Sequence, residues 1–318
     1  MSGTEPGSGT EPGPVRIIER DNLAAMADMP EGSFALVYLD PPFNTGRVQG
    51  RSVHTSRPVP VAAFASDVTR SASAGASALP PPVFRGFHGR DYERVVGMLR
   101  SYDDHFVDYW DFLGPRLAQA WRLLAPDGTL YLHLDYRESH YAKVALDALF
   151  GRECFLNEII WAYDYGAKSR SRWPAKHDTI LVYVKDPANY VFDSEAVDRE
   201  PYMAPGLVTP EKAARGKLPT DVWWHTIVPT AGREKTGYPT QKPEGILRRI
   251  IAASTRPGDA VLDPFAGSGT TGAVAHALGR RAVLIDHNPD AIDVMARRIP
   301  AAEFVRTRVG QPRAETDA

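Results

Sequence analysis

Apolar residues along this chain arrive in short runs with two periods. Phe34-Ala35-Leu36-Val37-Tyr38-Leu39 is apolar almost throughout, the pattern of a strand buried on both faces of a parallel sheet. Thr129 to Leu134, Ile159 to Trp161, Ala260 to Leu262 and Arg281 to Ile285 read as further strands. Thr179 to Val184 alternates and predicts a strand with a more exposed face. Between them, helical spacing links Leu113, Leu117, Ala120, Trp121 and Leu124, and recurs in Tyr141 to Phe150, Arg248 to Ser254, Thr271 to Leu278 and Asp290 to Arg298. A short apolar run from Val15 passes at Asp21-Asn22 into a helix beginning at Leu23. Alternation of the two element types at both ends predicts an α/β fold, a doubly wound, mainly parallel sheet.

Composition marks the segments that break this rhythm. Residues 1–14 are rich in Gly, Pro, Ser and Thr around a doubled Gly-Thr-Glu-Pro-Gly unit, and read as a disordered leader with no signal-peptide core. From 47 to 82 the chain turns to Ser, Ala, Val, Arg and Pro with little periodicity, and reads as a flexible insertion. Residues 163–237 interleave bases and aromatics and read as a separate lobe. Residues 15–162 and 238–303 then form two halves of one domain, with 304–318 as a tail. At 318 residues, 43% hydrophobic and 24% charged, the chain has the composition of a soluble globular enzyme. A net charge of -2 gives no global attraction to nucleic acid, although a local basic cleft suffices for phosphates. The one cysteine, Cys154, excludes an internal disulfide framework and a multi-thiolate zinc site and fits a reducing cytoplasm. It reads as buried packing. No apolar run approaches the roughly 20 residues that span a bilayer.

Two turns carry the chemistry. Gly267-Ser268-Gly269-Thr270-Thr271-Gly272 follows a strand and opens a helix, so its glycines let the backbone turn tightly and a ligand come close. The glycines alone suit a nicotinamide or flavin dinucleotide as well as S-adenosylmethionine. Asp263, ending the preceding strand, lies where it would attract a cation and repel a pyrophosphate; its alternative role is to cap a structural turn. Asp286, ending the next strand, is placed to accept from ribose hydroxyls. The second turn, Asp40-Pro41-Pro42-Phe43, closes the first buried strand. An aromatic amine has its lone pair delocalised into the ring, and acceptors on both of its N–H groups favour the pyramidal geometry that frees it. Asp40 and the carbonyl of Pro41 suit that task on a loop stiffened by two prolines. Phe43 can stack on a base swung out of a helix.

These motifs in this order resemble the amino-methylating DNA methyltransferases of the permuted β class, in which the catalytic tetrad comes first and the cofactor turn last. The resemblance spans most of Val15 to Ile299 and rests on Asp21-Asn22, Asp40 to Gly46, Thr240-Gln241-Lys242-Pro243 and Asp263 to Thr271. It implies that Asp40, Pro41, Pro42 and Phe43 bind a flipped base. It also implies that Asp263, Pro264, Phe265, Gly267, Ser268, Gly269, Thr270 and Thr271 cradle S-adenosylmethionine, with Asp286 on its ribose. Asp21 and Asn22 would lie near its adenine, and Lys242 and Pro243 near its methionine end. Asp at the head of the tetrad favours N6 of adenine over N4 of cytosine. Phe43 stands where Tyr is commoner, and the insertion after Gly46 is long for the family.

In the middle region, Lys168, Arg170, Arg172, Lys176, Arg233 and Lys235 sit among Tyr163, Tyr165, Trp173, Trp223 and Trp224, a mixture suited to phosphate contact and stacking on double-stranded DNA. The region then reads as target recognition. The pairs His177-Asp178 and His133/Asp135 resemble metal or acid/base sites but lack a third ligand at useful spacing, so they read as strand-end polar residues. The other readings are an oxidoreductase, a binding module without activity, and methylation of RNA or of a protein amide. A homodimer and a companion restriction endonuclease stay open.

Overall fold

A computed structural model describes residues 11–43, 49–58, 83–85, 91–102, 109–166, 168–229 and 231–306. They divide into two compact units, Arg47–Asp103 and the remainder. In chain order the larger unit has β1 (Val15–Glu19), α1 (Asn22–Ala27) and β2 (Phe34–Leu39). The smaller unit is an antiparallel sheet of β3 (Gln49–Pro58), β4 (Val83–Arg85) and β5 (Asp91–Tyr102). The larger unit resumes with α2 (Tyr109–Leu123), β6 (Leu124–Leu134), α3 (Ser139–Phe150), β7 (Phe155–Ala162), β8 (His177–Val184), α4 (Pro210–Arg215) and β9 (Val222–Trp224). It ends with α5 (Glu244–Ser254), β10 (Ala260–Asp263), α6 (Thr270–Ala277), β11 (Arg281–Asp286), α7 (Pro289–Arg298) and β12 (Glu303–Arg306).

The larger unit's nine strands form one sheet in the order β12-β1-β11-β10-β2-β6-β8-β7-β9. The first six are mutually parallel, and β8 runs antiparallel to both neighbours. This is the expected doubly wound α/β sheet. Both faces are covered, which is why β2 is apolar without alternation. Leu36 and Tyr38 join the core shared with Ile246, Ile250 and Met295 of α5 and α7. Val37 and Leu39 join the opposite core with Met26, Leu113, Leu117 and Leu146 of α1, α2 and α3.

Five expectations need correction. Strand β8 is buried almost throughout: pairing with β6 and β7 places it inside the sheet, so its polar alternates are satisfied by neighbours and not by water. The middle region is not a separate lobe, because β8 and β9 are members of the main sheet. Within 47–82, Gln49–Pro58 is a ten-residue strand; its register is set by β5, 33 or more residues further on, a partner that local periodicity cannot reveal. Residues 59–82 lie outside the described part, as do 1–10. The chain already packs at Gly13, whose N–H donates to the His276 carbonyl (3.0 Å). Likewise Glu303–Arg306 extends the sheet beside β1 instead of beginning a tail.

Among the described residues no helix is long and apolar enough to cross a membrane. Cys154 is buried in the α3-side core.

Candidate active site

The carboxyl ends of parallel strands in such a sheet gather what each strand carries there. Here β2, β10 and β11 are adjacent, so Asp40, Asp263 and Asp286 converge; the charges of Asp40 and Asp286 both act on Asp263. Burial with two carboxylates nearby pushes the Asp263 carboxyl up to about 7. Burial raises Asp286 as well, against the pull of backbone N–H groups from Asn288 and Gly267. The site is short of positive charge.

Lys242 supplies part of it. Its Nζ lies 2.7 and 2.6 Å from the two Asp40 oxygens and 4.9 Å from the Phe43 ring centre. Side-chain exposures of 9% and 17% make this a largely desolvated pair, one in which losing either partner strands a buried charge. The turn presenting Lys242 is fixed from several sides. Thr240 adopts φ 57°, unusual for a residue with a side chain. Gln241 Oε1 accepts from the Thr236 backbone N–H and hydroxyl (both 2.9 Å), and Gln241 Nε2 donates to the Glu234 carbonyl. Pro243 precedes α5 as its N-cap residue. The tetrad itself is held by Tyr109, whose hydroxyl donates to the Pro42 carbonyl (2.8 Å).

The glycine turn is organised by side chain to backbone bonds. Asp263 accepts from the Phe265 N–H (3.0 Å) and the Thr271 hydroxyl (2.5 Å), so it caps the turn, the alternative its sequence position left open. Asp286 accepts from the Gly267 and Asn288 N–H groups, both at 2.9 Å. Ser268 and Thr270 share a hydroxyl contact, and Thr270 Oγ1 also donates to the Lys242 carbonyl (3.1 Å), tying the two turns together. Gly269 stands at φ 72°, where an added Cβ would lie 2.7 Å from Met295 Cγ. A Cβ on Gly272 would meet Leu284 Cδ1 at 2.4 Å, so the third glycine lets α6 close on β11.

On the other side of this turn, Asp21 caps α1 through the Ala24 N–H. Asn22 Nδ2 donates to the Pro264 carbonyl (2.8 Å), and Arg116 donates to both Asn22 Oδ1 (2.6 Å) and Asp21 Oδ2 (2.9 Å). Arg116 also covers the Phe112 ring, which contacts Phe265. Arg116 escaped the sequence reading, although a cation three residues after Leu113 and one before Leu117 sits on the predicted apolar face.

The tetrad's far side differs from the sequence pairing. His133 bonds not to its neighbour Asp135 but to Asp178 (3.1 Å), because β6 and β8 are antiparallel with His133 opposite Ile180. Asp135 is taken by Arg137. Residues 163–176 connect the ends of β7 and β8 beside the carboxyl end of β6. There Lys168, Arg170 and Arg172 are exposed, as is Trp173 at 95%. Lys176 is instead committed to Asp164. Arg233 is exposed and Lys235 half-buried.

A fold with clustered strand-end carboxylates, a proline-stiffened tetrad and a glycine turn belongs to a recognisable class. The DNA methylase family model of N6- and N4-acting enzymes matches residues 34–297, and the chain belongs to that family. DNA adenine methyltransferase YhdJ of Escherichia coli (strain K12) is 29% identical over 295 residues, spanning 90% of this chain and 83% of the relative. Type II methyltransferase M.ScaI of Streptomyces caespitosus is 34% identical over 230 residues, 67% of this chain and 71% of the relative. Among solved structures, the cytosine-N4-specific PvuII DNA methyltransferase has a TM-score of 0.55 at 14% identity, covering 93% of this chain and 98% of its own. The M1.HpyAVI–SAM complex has 0.53 at 19%, covering 90% and 98%. These two likenesses establish the fold.

Proposed function

We propose that this DNA methylase transfers a methyl group from S-adenosylmethionine to N6 of adenine within a short sequence of duplex DNA. The observation that carries the reading is the convergence of Asp40-Pro41-Pro42-Phe43 with the Asp263 to Thr271 turn at adjacent strand ends, joined by Lys242. The residues fit a cationic methyl donor: carboxylates whose protonation is favoured by burial and mutual repulsion gain from a positive ligand. The donor, when bound, supplies an electrophilic methyl on a sulfonium centre. Asp286 and the glycine turn would hold its ribose and backbone-facing edge, Asp21 and Asn22 its adenine side, and Lys242 with Pro243 its carboxylate end.

Asp40 and the Pro41 carbonyl accept the two N–H groups of the target amine and so favour a localised lone pair. With its side chain only 17% exposed, Asp40 lies too deep for a stacked base, which supports flipping of the target out of the duplex. Phe43 offers a stacking face. Lys242 already occupies both Asp40 oxygens, so an arriving amine shares that carboxylate with the ammonium. The exposed Lys168, Arg170, Arg172 and Arg233 contact phosphates and groove edges, Lys235 flanks them, and Lys176 orders the loop through Asp164.

Asp at the head of the tetrad and the adenine-acting relative favour adenine; the likeness to a cytosine-N4 enzyme keeps cytosine as the second reading. Two relatives named type II methyltransferases support a place beside a restriction endonuclease, and the single cysteine, Cys154, fits a reducing cytoplasm. Long-read sequencing of a plasmid from cells expressing the wild type or Asp40→Ala tests the reaction. Modified adenines in one motif, absent with the variant, are expected. Modified cytosines move the target to N4, and an unmodified plasmid overturns the proposal.

A further inference from the structure

Four buried or half-buried side chains form a chain of hydrogen bonds beside the tetrad that the reading above does not use. The Tyr38 hydroxyl lies 2.7 Å from His133 Nδ1, His133 Nε2 lies 3.1 Å from Asp178 Oδ2, and the Tyr163 hydroxyl donates to Asp178 Oδ1 at 3.0 Å. His133 has no solvent exposure. Its ring is caged by Tyr38 (6.1 Å, edge-on), Trp161 (5.6 Å, edge-on) and Phe43 (5.9 Å, tilted by 34°).

Donor and acceptor counting fixes the arrangement. Asp178 lies between two donors, His133 Nε2 and the Tyr163 hydroxyl, with the Lys242 ammonium charge nearby, surroundings that favour its ionised form. An ionised Asp178 only accepts, so both His133 Nε2 and the Tyr163 oxygen must carry protons toward it. Tyr38, two residues before Asp40 and buried, has His133 Nδ1 as its partner. One state satisfies every group: Tyr38 donates to Nδ1, Nε2–H donates to Asp178, and Tyr163 donates to Asp178. A doubly protonated imidazole would leave the Tyr38 hydroxyl proton buried without an acceptor, which is costly.

The ends of this chain lie in different places. Tyr38 leads directly into the tetrad, while Tyr163 begins the basic, aromatic loop of residues 163–176. We infer that His133, held as its Nε2–H tautomer by Asp178, is a positioning residue: it sets the Phe43 ring that receives the flipped base and ties that ring to the root of the recognition loop. The inference rests on the reading of Asp40 to Phe43 as the base pocket. The chain's hydrogen bonds touch neither the glycine turn nor Asp286, so it acts chiefly on base capture, and its one link toward the donor is the charge of Lys242 near Asp178.

The test uses the full chain and a duplex carrying 2-aminopurine at the target position identified by plasmid sequencing, whose fluorescence rises when that base leaves the stack. Asp178→Asn and the milder Tyr163→Phe should each reduce the fluorescence rise and kcat by about tenfold or more, with S-adenosylmethionine affinity within about twofold of wild type. Nitrogen chemical shifts of His133 should show Nε2 protonated and Nδ1 bare in the wild type, with that preference lost in Asp178→Asn. Wild-type flipping and turnover in both variants, or a wild-type ring protonated on Nδ1, overturns the inference. So does equal loss of donor affinity and melting temperature in Tyr163→Phe, which would make the chain a structural strut. A wild type that flips no base brings down the pocket reading itself, an outcome distinct from intact flipping in the variants.

Discussion

The two sides of the tetrad solve the same problem by different means. On the β10–β11 side, the carboxylates bond to backbone a few residues away, Asp263 to Phe265 and Asp286 to Asn288, and Asp21 caps α1 through Ala24 in the same way. On the β6–β8 side, side chains bond to other side chains far along the sequence, Tyr38 to His133 and His133 to Asp178, at separations of 95 and 45 residues. Local backbone bonding builds a turn that keeps its shape wherever the fold places it. Side-chain bonding across strands exists only once the sheet is assembled, and it can transmit a displacement from one strand to the next.

This contrast determines what could be read before the fold was known. The glycine turn and tetrad were legible because each is written within nine consecutive residues whose types dictate their backbone. The buried strands and amphipathic helices followed from period alone. His133 and Asp178 were visible as ionisable residues in apolar strands, but were assigned to the wrong partners, since pairing depends on the antiparallel register of β6 and β8. Arg116 is the same kind of case, bridging 94 residues to Asn22.

The largest effect expected on either side comes from Asp40→Ala, which removes the acceptor proposed for the reacting amine and leaves Lys242 buried without its partner. Single-turnover methylation should fall about a thousandfold; a fall of less than tenfold would mean that the tetrad does not hold the amine. Next is Gly269→Ala, which places a Cβ 2.7 Å from Met295 Cγ at φ 72°. It should lower unfolding free energy by about 1–3 kcal/mol in urea titrations. An unchanged midpoint would show that the glycine turn is more pliable than its bonding suggests.

Asp263 gives a pH signature confined to the local side. Its folded carboxyl titrates at about 7 against an ordinary 3.8, so between those values the native state binds more protons than the unfolded chain. Its contribution therefore declines as pH rises from 3.8 to about 7 and is flat above. Relative to Asp263→Asn, the wild-type urea midpoint should drop across that window, and parallel profiles would refute the assignment. The smallest effect is at the surface. Arg172→Ala should weaken DNA binding across all sequences and reduce the magnitude of the salt slope by about 1, measured by fluorescence anisotropy at several salt concentrations. A loss confined to one sequence would instead make Arg172 a base reader.

The order of strands has a consequence in time. Strands β10 and β11 lie between β1 and β2, so β2 can pair with β6 early, but the edge it shares with β10 and the edge β1 shares with β11 form only once residues 260–286 have been made. Until then β2 lacks one edge and Asp40 faces no glycine turn. The early part of the chain thus waits with an open seam, which late-made strands close as they bring the glycine turn to Asp40.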